Sequence, residues 1–521
     1  MSRPVRPLLA GLLMAAIAGV PASAETLTEA LVSAYGTNPQ LASARAALRV
    51  TDEDLALALS GLRLQVEASG SIGRDSTEFS RQNNRWGNQT TGQLQVIQPV
   101  LPLAALTALN TADARVEQGQ AQLAATEQQV LLNTVQAYVD VLRDQQVLAV
   151  TGEIVASLTR ELASNQRRMD EGDLSRTDIA LTRARLTQVQ ADQVTAEAAL
   201  RRALAAYQEV VGHPAMDLSA PGLPPGLPDT LEAATDAAMA GNPSLMFARK
   251  AEEVARAEIA QADAGLFPSL NVVGSSSYSE NSALFSDIEE QYSLQLQLRI
   301  PLYEGGATQA RIRKAKEQWS QRRTEILSSE RSVVRQVSDT FVGLRSARAV
   351  IEYAQEGVDA AALALDGVRK EALQGFRTTT DVLQSEQNLL DARRRLISAQ
   401  RDEILAGWQL LAAMGAFAAD KLALPTTPYD PKAHADDVRD AWFSTSPVPG
   451  DPVPVPTPTL TRQPAAAVPE AVAEPTPVAV TGEEAPTPAA NPESPDDIDL
   501  WSELFGIDDT DIAAPTTRDR R

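Results

Sequence analysis

Two hydrophobic periodicities alternate along this chain. From Ala104 to about Glu171, and again from Ala307 to about Leu373, there is no proline, and apolar positions recur at helical spacing. Leu131, Val135, Tyr138 and Leu142 follow a 4-3-4 pattern that Val334, Ser338 and Phe341 repeat in part, and Val130, Val141, Val333, Val337 and Leu344 form a neighbouring line. The spacing predicts two helices that would each reach about 100 Å at 1.5 Å per residue. Two adjacent seams predict packing on both sides, as in a wall of coiled helices. Before each long helix the period falls to two. Val66, Ala68, Gly70 and Ile72 share a side near 65–73, and Leu94 and Val96 alternate with glutamines near 91–100. Leu270, Val272, Gly274, Ser276 and Tyr278 share a side near 270–278. Tyr292, Leu294, Leu296, Leu298 and Ile300 do so near 292–300, with Ser293, Gln295, Gln297 and Arg299 opposite. These are strand pairs with one dry and one wet face. Polar stretches at 77–90 and 279–290 read as the joining loops, with Phe79, Trp86, Phe285, Tyr292 and Tyr303 near the edges.

The order helix, strand pair, long helix occurs twice. Asn38-Pro39 returns as Asn242-Pro243, Gly172 as Gly375, Asp178 as Asp381, Gly212 as Gly415 and Tyr138 as Phe341, at offsets of 203 or 204. Two copies, 25–214 and 231–417, joined by a 215–230 linker, are the expected organisation; this period is far too long for a solenoid unit. Each copy opens on one helical stretch, Leu27 to Leu62 and Leu231 to Leu266. Nine to eleven residues per strand suit a tilted membrane crossing. Four strands cannot close a barrel alone, and open edges are not tolerated in lipid, so a membrane reading requires several chains to share one barrel.

Composition narrows the function. The 521 residues carry 46 basic and 68 acidic side chains, a net charge of −22, which disfavours nucleic acid as a partner. There is no cysteine, and only His213 and His434 offer imidazole, so no cofactor or metal site and no catalytic constellation is expected; the chain reads as not an enzyme. Aromatic residues are 4%, little for a conventional core but suited to helices wetted on two faces. Residues 1–24 read as a signal peptide, with Arg3 and Arg6, an apolar run from Leu8 to Val20, and small residues at Ala22-Ser23-Ala24. From 425 to 521 lie 18 of the 32 prolines and a net charge of −12, which reads as a disordered acidic tail. Within it, Leu500, Trp501, Leu504, Phe505 and Ile507 could form a short docking helix or simply an apolar end.

At two places the residues resemble a known family. Pro301-Leu302-Tyr303-Glu304-Gly305-Gly306 stands where a strand pair hands over to a long helix, and Gly375-Phe376-Arg377-Thr378-Thr379-Thr380-Asp381-Val382-Leu383 stands at a helical reversal. With Asn38-Pro39 and Asn242-Pro243, these markers make the region 27–417 similar to the TolC-like outer-membrane efflux and secretion proteins. The resemblance implies a mainly α protein with a membrane β-barrel: a homotrimer with a shared twelve-strand barrel in outer-membrane lipid and a long periplasmic α-helical barrel with an equatorial belt. It implies the outer membrane of a Gram-negative bacterium, and a passive exit duct for type I protein secretion or small-molecule efflux. The partners implied are a periplasmic adaptor (membrane fusion protein) and an inner-membrane ABC or proton-driven transporter, whose docking opens the tip. The alternative carried from the helices alone is a periplasmic coiled-coil adaptor or scaffold.

The residues expected to matter follow from both readings. Gly172 and Gly375 make the hairpin turns. Thr177 or Ser175, and Thr379 or Thr380, cap the returning helices, with Asp178 and Asp381 in the first turn. By resemblance, Asp178 and Arg377 form a latch between subunits, and Asp381 rings the constriction. Where family members with the best-known closed tip have a tyrosine and a second acid, this chain has Ala372 and Gln384, which implies a weaker lock. Pro99, Pro301, Gly305 and Gly306 mark the strand-to-helix junctions.

Overall fold

The computed structural model describes residues 24–78, 84–172, 174–281, 288–443 and 445. Among them the elements run α1 (Leu27–Thr37), α2 (Pro39–Ser60), β1 (Gln65–Glu78), β2 (Asn84–Leu101), α3 (Leu103–Asp170) and α4 (Arg176–Val211). A second series follows: α5 (Leu231–Gly241), α6 (Pro243–Ala264), β3 (Ser269–Asn281), β4 (Ile288–Arg299), α7 (Ala307–Leu373) and α8 (Thr379–Ala413). α9 (Ala433–Asp440) is the last element among the described residues. The two long helices have 68 and 67 residues, as the proline-free runs predict.

Each opening helical stretch is two helices, because Asn-Pro breaks it. Asn38 and Asn242 end one helix in an extended conformation and cap the next, with Pro39 and Pro243 at its first position, where a missing N–H costs nothing. The Asn38 amide oxygen accepts from the Gln40 and Leu41 amides, while its Nδ2 donates to the Val210 carbonyl at the end of α4. Asn242 repeats this with Ser244, Leu245 and the Ala413 carbonyl at the end of α8.

The helices form one layer. Next to the sheet, α2 packs on α3, α3 on α6 and α6 on α7; farther away α4 packs on α3, α3 on α8 and α8 on α7. Leu131, Val135, Tyr138, Val130 and Val141 are buried, and so are Val333, Val337, Phe341 and Leu344. Val334 is 40% exposed while Phe341 of the same line is buried, so in α7 that line is covered only in part among the described residues. The Tyr138 hydroxyl donates to the Ser219 and Glu25 carbonyls, which ties the start of the described chain and the 212–230 connection to α3.

Three further expectations about the fold need correction. The strands run beyond the expected bounds, to Glu78, from Asn84, to Asn281 and from Ile288, because the serine-, threonine- and asparagine-rich flanks keep pairing instead of looping. Pro99 is not at a junction: it lies inside β2, where the pairing with β3 shifts between Pro99 and Leu101, and Pro102 precedes α3. The proline cannot donate to the ladder, and the irregularity there accommodates it. The region 425–443 was expected to belong to a disordered tail, but it packs along α2, with His434, Ala435 and Val438 buried. The expected signal segment up to Ser23 and the apolar run at 498–507 lie outside the described residues.

Candidate functional site

Two regions carry the expected functional residues: the sheet and the hairpin ends farthest from it. The sheet is antiparallel in the order β1-β2-β3-β4. Register sets Val66 opposite Val96, Val96 opposite Gly274 and Gly274 opposite Leu294; the next rung is Ala68, Leu94, Ser276 and Tyr292. Directly opposed residues share a face, so the apolar positions of all four strands form one surface. It is uncovered: Val66, Leu294 and Leu296 are 62%, 80% and 67% exposed. The opposite face carries rungs such as Ser69, Gln93, Ser277 and Gln291, and Glu67, Gln95, Ser275 and Ser293. On that face Ser275 and Ser293 share a hydrogen bond of 2.8 Å. The outer edges of β1 and β4 have no strand beside them among the described residues.

At β4 the chain leaves the sheet through Pro301. Gly305 and Gly306 follow with φ of +63° and +85°, which place the bend into α7 in a conformation only glycine adopts without penalty. These three residues stand where the sequence puts the junction.

At the far ends, α3 turns into α4 and α7 into α8. Gly172 and Gly375 have φ of +91° and +81°. The Gly375 amide donates to the Ala372 carbonyl and the Phe376 amide to Glu371, the paired bonds of a Schellman ending. Ser175 caps α4, and Thr378, not Thr379 or Thr380, caps α8, because it is the residue immediately before the first helical position that is still extended. Asp178 and Asp381 are the third residues of their helices and close reciprocal capping boxes: Asp178 accepts from the Ser175 amide and hydroxyl, and Asp381 from those of Thr378. The Ser175 hydroxyl, followed by its amide, Thr379 and Arg168, holds the Asp178 carboxyl below its usual range; the Thr378 amide and hydroxyl do the same for Asp381. Both are anionic at neutral pH. Arg377 is exposed and pairs with Glu371 of its own hairpin at 2.7 Å. Gln384, one turn into α8, is exposed and donates to Asn388. A buried polar contact missed in the sequence lies above these turns: Glu386 is 1% exposed and pairs with Arg369 across α7 and α8. The only signal for it was a charge on the apolar side of α8.

Among the described residues no cluster of His, Asp and Glu has metal-binding geometry, and no helix is long and apolar enough to cross a membrane. The geometry offers a surface for lipid, a polar opposite face and two acid-bearing turns.

Comparison with known proteins converges on one group. The sequence profile of the "Outer membrane efflux protein" family matches residues 30–213 and 234–416. The chain is 32% identical over 432 residues to "Outer membrane efflux protein BepC" of Brucella suis biovar 1, covering 82% of this chain and 93% of that protein. It is 28% identical over 401 residues to "Outer membrane protein TolC" of Vibrio cholerae, covering 75% and 91%. Among solved structures, the Campylobacter jejuni CmeC outer membrane channel superposes with a TM-score of 0.67 at 14% identity, over 80% of this chain and 89% of that one.

Proposed function

Because this chain belongs to the outer membrane efflux protein family, we propose that three copies assemble into the outer-membrane exit channel of a tripartite export machine. The observation that carries this reading is the sheet: four strands, one continuous apolar face left bare, and two open edges. Such a sheet is stable in lipid only if its edges meet other copies and its apolar face meets acyl chains. Three copies give twelve strands. The helical layer is open on the same two sides, with α2 and α4 at one margin and α7 at the other, so one rotation closes both.

In this assembly the polar face of the sheet lines the pore, and the helices continue it as a periplasmic duct. The hairpin ends form its narrow mouth. Asp381 supplies one carboxylate per copy to a cation-attracting constriction, and Asp178 reaches Arg377 of a neighbouring copy when the mouth is closed. A periplasmic adaptor and an inner-membrane transporter, ATP- or proton-driven, open it from below and feed the duct, for type I protein secretion or small-molecule efflux. The chain itself uses no energy and performs no chemistry.

Imaging of the detergent-extracted protein with its particle mass tests the assembly. The expected particle is threefold and about 140 Å long, from about 100 Å of helix plus a membrane-thick barrel. A monomeric or dimeric rod without a detergent belt would remove the channel reading.

A further inference from the structure

The segment after α8 does not wander from the core but climbs it. Tyr429 donates its amide to the Tyr35 hydroxyl, and the Arg45 guanidinium lies between the rings of Tyr35 and Tyr429, 4.5 and 5.2 Å from their centroids. Five residues on, His434 meets the buried Asp52 at 3.0 Å. Arg439 then pairs with Asp113, and its carbonyl accepts from Arg63. The partners on α2 and just past its end advance from 45 to 52 to 63, so the strap follows α2 for about 22 Å and passes its end toward the sheet. It arrives two residues before Gln65, where β1 begins.

There it presents two aromatic side chains. Trp442 is 63% exposed, with the Arg63 guanidinium 4.4 Å from its ring centroid, and Phe443 is 92% exposed. A strap held by an ion pair, a buried histidine and an arginine stack ends on apolar surface with nothing over it among the described residues. The surroundings indicate what covers it. The same end of the sheet exposes Leu64 before β1, Phe267 before β3, and Leu302 and Tyr303 after β4, at 55%, 56%, 91% and 87%, and Leu64 leads into the strand that carries exposed Val66 on the bare apolar face. Aromatic rings with a cationic neighbour at the end of a membrane-crossing sheet have the chemistry of the headgroup layer, where indole and phenyl groups partition and guanidinium meets phosphate.

We propose that the strap carries Trp442 and Phe443 into the periplasm-facing headgroup layer of the bilayer, a lipid contact made by the helical body in addition to the sheet. The inference rests on the membrane reading of the sheet, and the test separates the two. The chain has no cysteine, so single substitutions Phe443→Cys, Leu294→Cys and Leu373→Cys accept a nitroxide label without further changes, and all three positions are exposed. The full chain is reconstituted in phosphatidylethanolamine–phosphatidylglycerol bilayers, and collision of each label with oxygen and with a water-soluble nickel chelate is measured. The label at 294, on the apolar sheet face, should favour oxygen, and that at 373, at the far hairpin, should favour nickel. The label at 443 should show an oxygen-to-nickel ratio several-fold above that at 373. A ratio at 443 equal to that at 373, or shielding from both reagents by protein, with 294 still in lipid, overturns the lipid contact and leaves the channel standing. Aqueous behaviour at both 294 and 443 overturns both.

Discussion

Individual residues here are read best through what burial does to their charge. Glu127 accepts from the Ala419 amide at 2.8 Å beneath the segment that follows α8. Burial raises its carboxyl above the usual value near 4.5, more than the amide bond lowers it. The folded state therefore holds a proton that the unfolded chain releases, and stability falls as pH rises from about 4.5 through the raised value. Glu127→Gln keeps an oxygen for the Ala419 amide and removes the titration. Asp52 and Glu161 are also raised by burial, so thermal midpoints through that window should decline with pH in both proteins, less steeply in the variant; parallel curves would show that Glu127 does not titrate differently on folding. Asp381 is the opposite case, an exposed acid held ionised by its cap. Asp381→Asn retains an acceptor for Thr378 but deletes one charge per copy from the proposed mouth. Reversal potentials in planar bilayers should lose cation preference, and unchanged selectivity would place the constriction elsewhere.

At the scale of elements, glycine marks two different constraints that sequence shows as one. Gly375 and Gly415 both follow a helix end with positive φ, +81° and +70°. Around Gly375 a Cβ would meet nothing within 4 Å, so Gly375→Ala should cost only the left-handed backbone penalty, about 1–2 kcal/mol. At Gly415 a Cβ would sit 2.0 Å from the Gly241 carbonyl oxygen, where α5 ends against α8. Gly415→Ala must push these helix ends apart and should abolish folded yield, while Gly375→Ala survives with a lowered melting temperature. Equal effects would mean the α5–α8 approach is soft. The long helices, both turns and the strand pairs were legible because each is written in local spacing, proline-free runs or a glycine, whereas the cap of α8 falls on Thr378, one residue before the expected pair. The strand ends were not, since threonine, serine and asparagine pair or loop according to the partner strand. The strap was hidden for a similar reason: His434 and Arg439 sit among prolines and acids, and only their partners at 52, 63 and 113, more than 300 residues away, give them a place. Asn38 and Asn242 stood out as repeat markers inside one expected helical stretch; the break they make was not part of that expectation, and their second bond, to the end of a helix about 170 residues later, is not written in local spacing.

Across the whole molecule, the recurrence of elements at an offset of 203 to 204 supplies a template for contacts between copies. Within one chain α3 lies against α6: Arg115 pairs with Glu258 at 2.9 Å, and Gln118 and Val254 border the cleft beside that pair, which Gln321 of α7 borders as well. Carrying α3 forward by 203 and α6 back by 204 gives α7 and α2, which stand at opposite margins of the helical layer and cannot meet within a chain. Gln118 becomes Gln321 and Val254 becomes Val50, and both are exposed, Val50 at 72%. The margins differ, so in the proposed assembly the contact would be heterologous and would close as a ring rather than as a face-to-face dimer. Val50→Cys with Gln321→Cys, in a chain that otherwise lacks cysteine, should therefore form disulfides between neighbours and run as a covalent trimer on a non-reducing gel, reverting to monomer with reductant. Either cysteine alone should give no ladder. A covalent dimer as the end product of the double variant would mean a face-to-face association, and monomer throughout would mean that the seam between α3 and α6 is not repeated between copies.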